Sequence, residues 1–415
     1  MATPLPAPRI ERFERLAFGL FVHYGLYSLL GRDAWLQYME KTPVAEYEKL
    51  AARFSAEHFD ARDLVRAAKS AGMRYITLTT RHHEGFSLFD TRGLSDFDAP
   101  HAAAGRDLVA EFVDACREGG IVPFLYHTTL DWRWDSAHCP EQKFNEYLDY
   151  LHDSIEILCT EYGPIGGLWF DGNWSRESAD WKEDRLYAMI RRHQPEAVLI
   201  NNTGMFAPGH VGHRELDCVT YEHCAAAPLN REGAPKYLAV ETCQTFNSHW
   251  GISVRDFNLI GPAQIIHALA HSRRVGANYL LNIGPTASGA LPAYERASIE
   301  RVGQWVSLYA DILSEGRPSA CCCVGQDFIL QVHGKLYYFA SDLAIAGQEN
   351  TTVAAGSTGP RLIRNLPHAI RSARWLDNGE PLTVSAADSA DAASLHLTGH
   401  PYGTHYVVRV AELLP

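Results

Sequence analysis

The chain has 415 residues, 46% hydrophobic and 21% charged, a balance that fits a globular protein with ample core and argues against disorder. Its 37 basic and 49 acidic residues give a formal charge of −12, and no basic cluster exceeds a pair such as Arg191-Arg192, so nucleic acid is not an expected partner. No apolar run reaches the length of a membrane span, and the first eight residues lack the charged start and apolar core of a secretion signal, so no membrane partner is expected.

Short apolar, β-branched runs alternate with longer helical patterns from residue 17 to residue 313. Strands are predicted at 17–23, 74–80, 121–127, 166–171, 197–202, 216–221, 237–242 and 277–283. Helices are predicted at 60–71, 106–118, 141–161, 180–193 and 261–274, the first with Asp60 as N-cap and Gly72 as its stop. Several strands are apolar throughout, as in a parallel sheet buried on both faces. Eight such units predict an α/β fold, a (β/α)8 TIM-like barrel over residues 1–318, irregular where the link between strands five and six is short. A doubly wound sheet would need a phosphate-binding glycine loop, and neither GxGxxG nor a P-loop is present.

Beyond about residue 320 the pattern becomes alternating, at 326–333, 335–340, 361–366, 394–398 and 405–410, with loops rich in Gly, Ala, Ser and Asp. A C-terminal all-β sandwich domain over 319–415 is expected. The nine cysteines are odd in number, form no CxxC and include the run Cys321-Cys322-Cys323. Free thiols in a reducing, cytoplasmic setting are the simpler expectation.

In a barrel the catalytic groups sit at the C-terminal ends of the strands. Seven of the eight predicted strand ends carry such groups: His23; Arg81-His82-His83-Glu84; Tyr126-His127 and then Asp131-Trp132; Asp171; Glu222-His223; Glu241; and Asn282. A polar pocket with aromatic walls is the economical inference. Asp171 closes the segment Gly166-Gly167-Leu168-Trp169-Phe170-Asp171-Gly172-Asn173-Trp174, where helix capping is the rival explanation. No ligand set for zinc and no GxSxG nucleophile motif is visible, so neither a metal nor another cofactor is expected. Two carboxylates facing one pocket among histidines and tryptophans suit glycoside cleavage.

These residues resemble the glycoside hydrolase family 29 α-L-fucosidases over nearly all of 10–315. The resemblance rests on the run from Phe18 to Gly25, on Arg81-His82-His83-Glu84-Gly85-Phe86, Gly105-Arg106-Asp107-Leu108-Val109, Leu130-Asp131-Trp132 and Leu168-Trp169-Phe170-Asp171-Gly172. Glu241-Thr242-Cys243-Gln244-Thr245, Trp250-Gly251 and the run from Asn278 to Pro285 complete it. It implies a retaining exo-α-L-fucosidase acting on fucosylated oligosaccharides, with Asp171 as nucleophile and Glu222 as acid/base, Glu215 and Glu241 being the competitors for that second role. It also implies a sugar-binding set of His23, Trp35, His82, His83, Tyr126, Trp169, Glu241 and Trp250. The ETCQT form resembles the branch that prefers fucose within branched oligosaccharides.

Three positions depart from the family pattern. Ala34 stands where a sugar-binding Glu is usual, Thr203 where an Arg often follows the Asn pair, and Val240 where a Trp is usual. Asp33 or Glu40 are the candidates to replace the lost acceptor. A different sugar such as an α-L-galactoside, or a sugar-binding protein without catalysis, are the alternatives, and the sequence leaves open whether the protein is a homo-oligomer.

Overall fold

The computed structural model describes residues 2–345 and 356–415. Eight parallel strands close into a barrel: β1 (Phe18–Val22), β2 (Tyr75–Arg81), β3 (Val122–Thr128), β4 (Gly167–Asp171), β5 (Val198–Asn201), β6 (Cys218–Glu222), β7 (Ala239–Thr245) and β8 (Asn278–Ile283). Closure is made by β8 on β1, with Phe18 opposite Tyr279 and Val22 opposite Ile283. The fold is therefore the expected (β/α)8 barrel followed by a C-terminal β domain.

Local chemistry explains the helices. Asp60 caps Ala61–Ser70 by accepting from the backbone of Arg62 and Asp63, and Asp107 caps Leu108–Gly119 through Ala110. Gly120 ends the latter in the left-handed conformation, at φ 68°. Helices Glu141–Thr160 and Glu183–His193 follow β3 and β4, but none of the described helices lies between β5 and β6 or between β6 and β7. Helix Ala293–Glu315, which the sequence reading left unassigned, follows β8.

The barrel interior is packed rather than open. Phe21, Tyr75, Phe124, Tyr126, Trp169, Ile200 and Leu280 fill it, and Ile10 and Phe13 from helix Pro8–Leu16 join the same cluster. Gly19 is required here, because a Cβ on it would lie 2.4 Å from the Tyr75 ring. Buried Asp217, just before β6, accepts from Arg9, Arg191 and Lys236. Their charges hold its carboxyl below the usual range despite burial.

Two compact units can be distinguished: residues up to Ile260 with Ala277–Glu300, and Gly261–Gly276 with Arg301–Pro415. The second contains an eight-stranded sheet in the order β12-β15-β14-β13-β16-β11-β10-β9. Its strands are β9 (Arg317–Pro318), β10 (Phe328–Val332), β11 (Lys335–Ala340), β12 (Gly359–Ile363), β13 (Ser372–Trp375), β14 (Pro381–Ala386), β15 (Ala393–Leu397) and β16 (Arg409–Leu414). Strand β14 pairs with β13 through Leu382 and with β15 through Thr383–Ala386, and both halves of the sheet feed one core cluster. Trp375 lies in that core, bonded through Nε1 to Thr398 and covered by the Arg409 guanidinium, so it offers no surface platform for a sugar.

Candidate active site

Asp171 is the last residue of β4. Gly172, at φ 120°, turns the chain so sharply that a Cβ there would lie 2.4 Å from the Leu130 backbone nitrogen. That turn brings Trp174 back over Asp171, and its Nε1 donates to Oδ1 at 2.7 Å. Tyr126 donates to Oδ2 at 3.1 Å, and His83 Nε2 lies 3.4 Å from the same oxygen. Burial alone would raise this carboxyl, but the bonds from His83, Trp174 and Asn202 outweigh it and hold the group below the usual carboxylate range. Helix capping, the rival explanation, does not apply, since the side chain's partners are all side chains around a pocket.

Glu222 ends β6. Burial, and then the neighbouring Asp171 charge, push it up to about 7, while bonds from Asn202 and Trp250 pull the other way. Asn202, the residue after β5, connects the two acids. Its Nδ2 donates to Glu222 Oε2 at 2.5 Å and to Asp171 Oδ1 at 3.2 Å. Thr220 donates to its Oδ1 at 3.1 Å, which fixes the amide with nitrogen toward the carboxyls. Two amide protons about 120° apart place the carboxyl oxygens about 5 Å from each other.

Around this pair lies a small pocket of about 50 Å3, lined by Phe21, His23, Trp35, His82, Tyr126, Trp169, Asp171, Trp174, Met205, Glu222 and Trp250. His23 Nδ1 meets Asn282 Oδ1 at 2.6 Å, and Asn282 Nδ2 donates to the Trp250 carbonyl at 2.7 Å. The amide therefore presents its oxygen to His23, so Nδ1 carries the proton and Nε2 is left as an acceptor for a hydroxyl. Burial lowers His23 to about 3 despite the Asn282 bond, and burial with the nearby histidines lowers His82 well below its usual value, so both rings stay neutral. His82 Nδ1 lies 3.5 Å from Glu84, a buried carboxyl that burial raises to about 8.

His83 lies behind this wall and reaches it through Asp171; its Nδ1 is 2.7 Å from Thr128 Oγ1. Glu241 does not line the pocket. The sequence reading ended the seventh strand near Glu241, but β7 runs on to Thr245, and Glu241 is level with Thr220, two residues below Glu222. There it accepts from Tyr75 OH at 2.6 Å and Trp169 Nε1 at 2.9 Å, and burial raises it to about 7. It fixes the Trp169 ring from below. Glu215 lies before the start of β6, away from the catalytic end, half exposed and 3.9 Å from Arg191.

Neither proposed replacement for the Ala34 position faces the pocket. Asp33 Oδ1 accepts from the backbone of Trp250 and Gly251 at 3.0 and 3.1 Å, and Glu40 pairs with Arg32 on the surface. Two other strand-end groups are structural: His127 bonds Ser154 on the neighbouring helix, and Asp131 pairs with buried Arg81 at 2.7 Å. Sequence reasoning omitted Asn202, Trp174 and Met205 from the site. Asn202 follows β5, and Trp174 lies three residues past Asp171 after a glycine, so strand-end position was the available signal.

Residues 6–311 match the family model described as α-L-fucosidase. A putative α-L-fucosidase of Caenorhabditis elegans is 27% identical over 76% of this chain and 68% of its own length, and the tissue α-L-fucosidase of Bos taurus is 26% identical over 76% and 70%. Among solved structures, α-L-fucosidase isoenzyme 1 from Paenibacillus thiaminolyticus superposes with a TM-score of 0.82 at 29% identity, covering 98% of both chains. A family 29 α-L-fucosidase from Bacteroides thetaiotaomicron gives a TM-score of 0.83 at 21% identity over 100% of this chain and 96% of that one, a likeness of fold. With a family match spanning the whole barrel, this chain belongs to the α-L-fucosidases of glycoside hydrolase family 29.

Proposed function

We propose that the protein is a retaining exo-α-L-fucosidase working by double displacement. The observation that carries this reading is the Asn202 bridge, which holds Asp171 and Glu222 at the short separation used by retaining rather than inverting enzymes. Their opposite pKa shifts support these roles: Asp171, held below the usual carboxylate range, as the nucleophile, and Glu222, raised to about 7, as the acid. Asp171 attacks C1 of the fucosyl ring, the C1–O bond to the leaving group breaks, and Glu222 passes its proton to that oxygen. Glu222, now a carboxylate, takes a proton from water as the water oxygen attacks C1 and releases Asp171. Two inversions restore the starting configuration.

One wall of the pocket suits the methyl group of a 6-deoxy sugar. Trp169 has its only polar atom committed to Glu241, and Phe21 beside it has none, so this wall offers a hydroxymethyl group no partner. His23 Nε2 supplies one hydroxyl acceptor. A reducing, cytoplasmic location belongs to the same reading, on the odd number and irregular spacing of the nine cysteines.

Asp171→Ala tests the reading. Hydrolysis of an aryl α-L-fucoside is expected to fall at least 10³-fold, with the fold intact by circular dichroism. Azide should restore turnover and give the β-configured glycosyl azide. Near-normal activity, or a wild-type product of inverted configuration by NMR, contradicts the mechanism.

A further inference from the structure

Ala34 leaves the pocket without one carboxylate, and the residue before it supplies one that points elsewhere. Asp33 has φ 81°, a left-handed conformation that costs every residue but glycine. Such a backbone persists only where its surroundings fix it. Here Asp33 N donates to the Ile252 carbonyl at 3.1 Å, Val254 N donates to the Gly31 carbonyl at 3.0 Å, and Arg32 lies opposite Ser253 in an antiparallel bridge. The loop after β1 is thereby laced to the loop after β7. Gly251 is wedged at the junction, where a Cβ would lie 2.8 Å from the Ala34 nitrogen.

The left-handed turn aims the Asp33 carboxyl at the second loop. Its Oδ1 accepts from Trp250 N at 3.0 Å and from Gly251 N at 3.1 Å. Its Oδ2 lies 3.5 Å from His249 Nδ1, and His249 Nε2 lies 3.4 Å from Asp256. The Trp250 carbonyl accepts from Asn282, so the backbone of this residue is held at both its N–H and its C=O. That fixes where the ring goes. It packs between His23, at 4.9 Å, and His223, at 4.8 Å, and its indole N–H donates to Glu222. Trp35, two residues after Asp33, lines the same pocket, so the laced loops carry two of its aromatic walls.

We infer that Asp33 is a positioning residue for the acid step: by holding the Trp250 backbone it keeps the indole donor on Glu222, the carboxyl that gives its proton to the leaving group. This rests on the retaining fucosidase reading, with Glu222 as the acid. The indole N–H stabilises the carboxylate that Glu222 becomes, so its loss counts when the leaving group needs a proton and hardly at all when it departs as a stable anion. Glu222 also faces Asp171, Asn202, Cys224 and Cys243, while Asp33 faces His249, His223 and Tyr27. The charge of Asp33 is therefore tested apart from its acceptor.

Asp33→Gly removes the acceptor and suits the backbone; Asp33→Asn keeps an acceptor, suits the backbone and removes only the charge. The measurement is kcat/KM on methyl α-L-fucoside, whose leaving group needs the acid, and on a dinitrophenyl α-L-fucoside, whose leaving group does not, with circular dichroism to check the fold. Asp33→Gly should lower the methyl rate about five- to twentyfold and the dinitrophenyl rate less than about twofold, with Asp33→Asn within about twofold of wild type on both. The alkaline limb should move upward in Asp33→Gly alone, because the lost bond favours ionised Glu222. Trp250→Phe, which keeps the backbone bonds and loses the donor, should show the same selective loss. By NMR, the Trp250 indole resonance should follow the titration of Glu222 in the wild type and Asp33→Asn but not in Asp33→Gly. Equal losses on both substrates, a wild-type methyl rate in Asp33→Gly or Trp250→Phe, or an Asp33→Asn enzyme as impaired as Asp33→Gly overturns the inference. A wild type that hydrolyses neither fucoside overturns the fucosidase reading instead, leaving the indole titration to judge Asp33.

Discussion

Replacing Asn202 by alanine removes the amide that touches both acids. The bond to Asp171, at 3.2 Å, serves a charge that fades as Asp171 bonds to C1, so its loss destabilises the ground state more than the transition state and does not itself slow the step. The bond to Glu222, at 2.5 Å, serves a charge that develops as the proton leaves, so its loss counts fully against the transition state. A hydrogen bond to a charged group contributes about 1.5–3 kcal/mol, which predicts a fall in kcat/KM of about 10- to 10²-fold. The direction in pH follows from the same contacts. Asn202 favours the ionised form of both acids, so its removal raises both pKa values and moves the acid and alkaline limbs of the profile upward together. The assay is kcat/KM against pH on a substrate with a poor leaving group, where protonation by Glu222 is needed. Thermal unfolding serves as the check on folding. A rate loss with both limbs unmoved refutes the bridging role, as does a variant of wild-type activity.

Two further predictions concern stability. Glu241 is raised from its ordinary 4.5 to about 7 in the folded protein, so between those values the folded state holds a proton that the unfolded state has lost. Stability from this group therefore declines as pH rises through that window, by at most about 3 kcal/mol. Glu241→Gln should flatten the fall in unfolding free energy between pH 4.5 and 7, leaving the same-sign contributions of Glu84 and Glu222; an unaltered slope refutes the account. Asp131→Ala strands the Arg81 guanidinium, both side chains being fully buried, and removes the acceptor for the Arg133 and Trp134 backbone. A loss of about 3–5 kcal/mol in urea unfolding is expected, and a loss below 1 kcal/mol contradicts it.

Eight strands were legible in the sequence because a parallel barrel buries both faces of each one, and a continuous apolar run bounded by turns is a local signal. Asp171 was legible for the same reason: the run Leu168-Trp169-Phe170 ends at it, and strand ends in a barrel share one rim. Strands β13 and β14 of the C-terminal sheet escaped because few of their residues are buried, Ala373 and Trp375 in the first and Leu382 in the second, which leaves little apolar pattern. What the sequence alone could not decide was height and direction across the barrel. Glu222 and Glu241 both sit on apolar strands, and only the register of β6 on β7 puts one at the pocket and the other two residues below it. Asp33 and Asn202 are likewise short polar side chains near strand ends; contacts more than 200 residues away turn the first toward the Trp250 backbone, and contacts from β4 and β6 turn the second toward the acids. Strand and core patterning is written in neighbouring residues, whereas the spacing of two carboxyls is set by how separate strands align when the barrel closes.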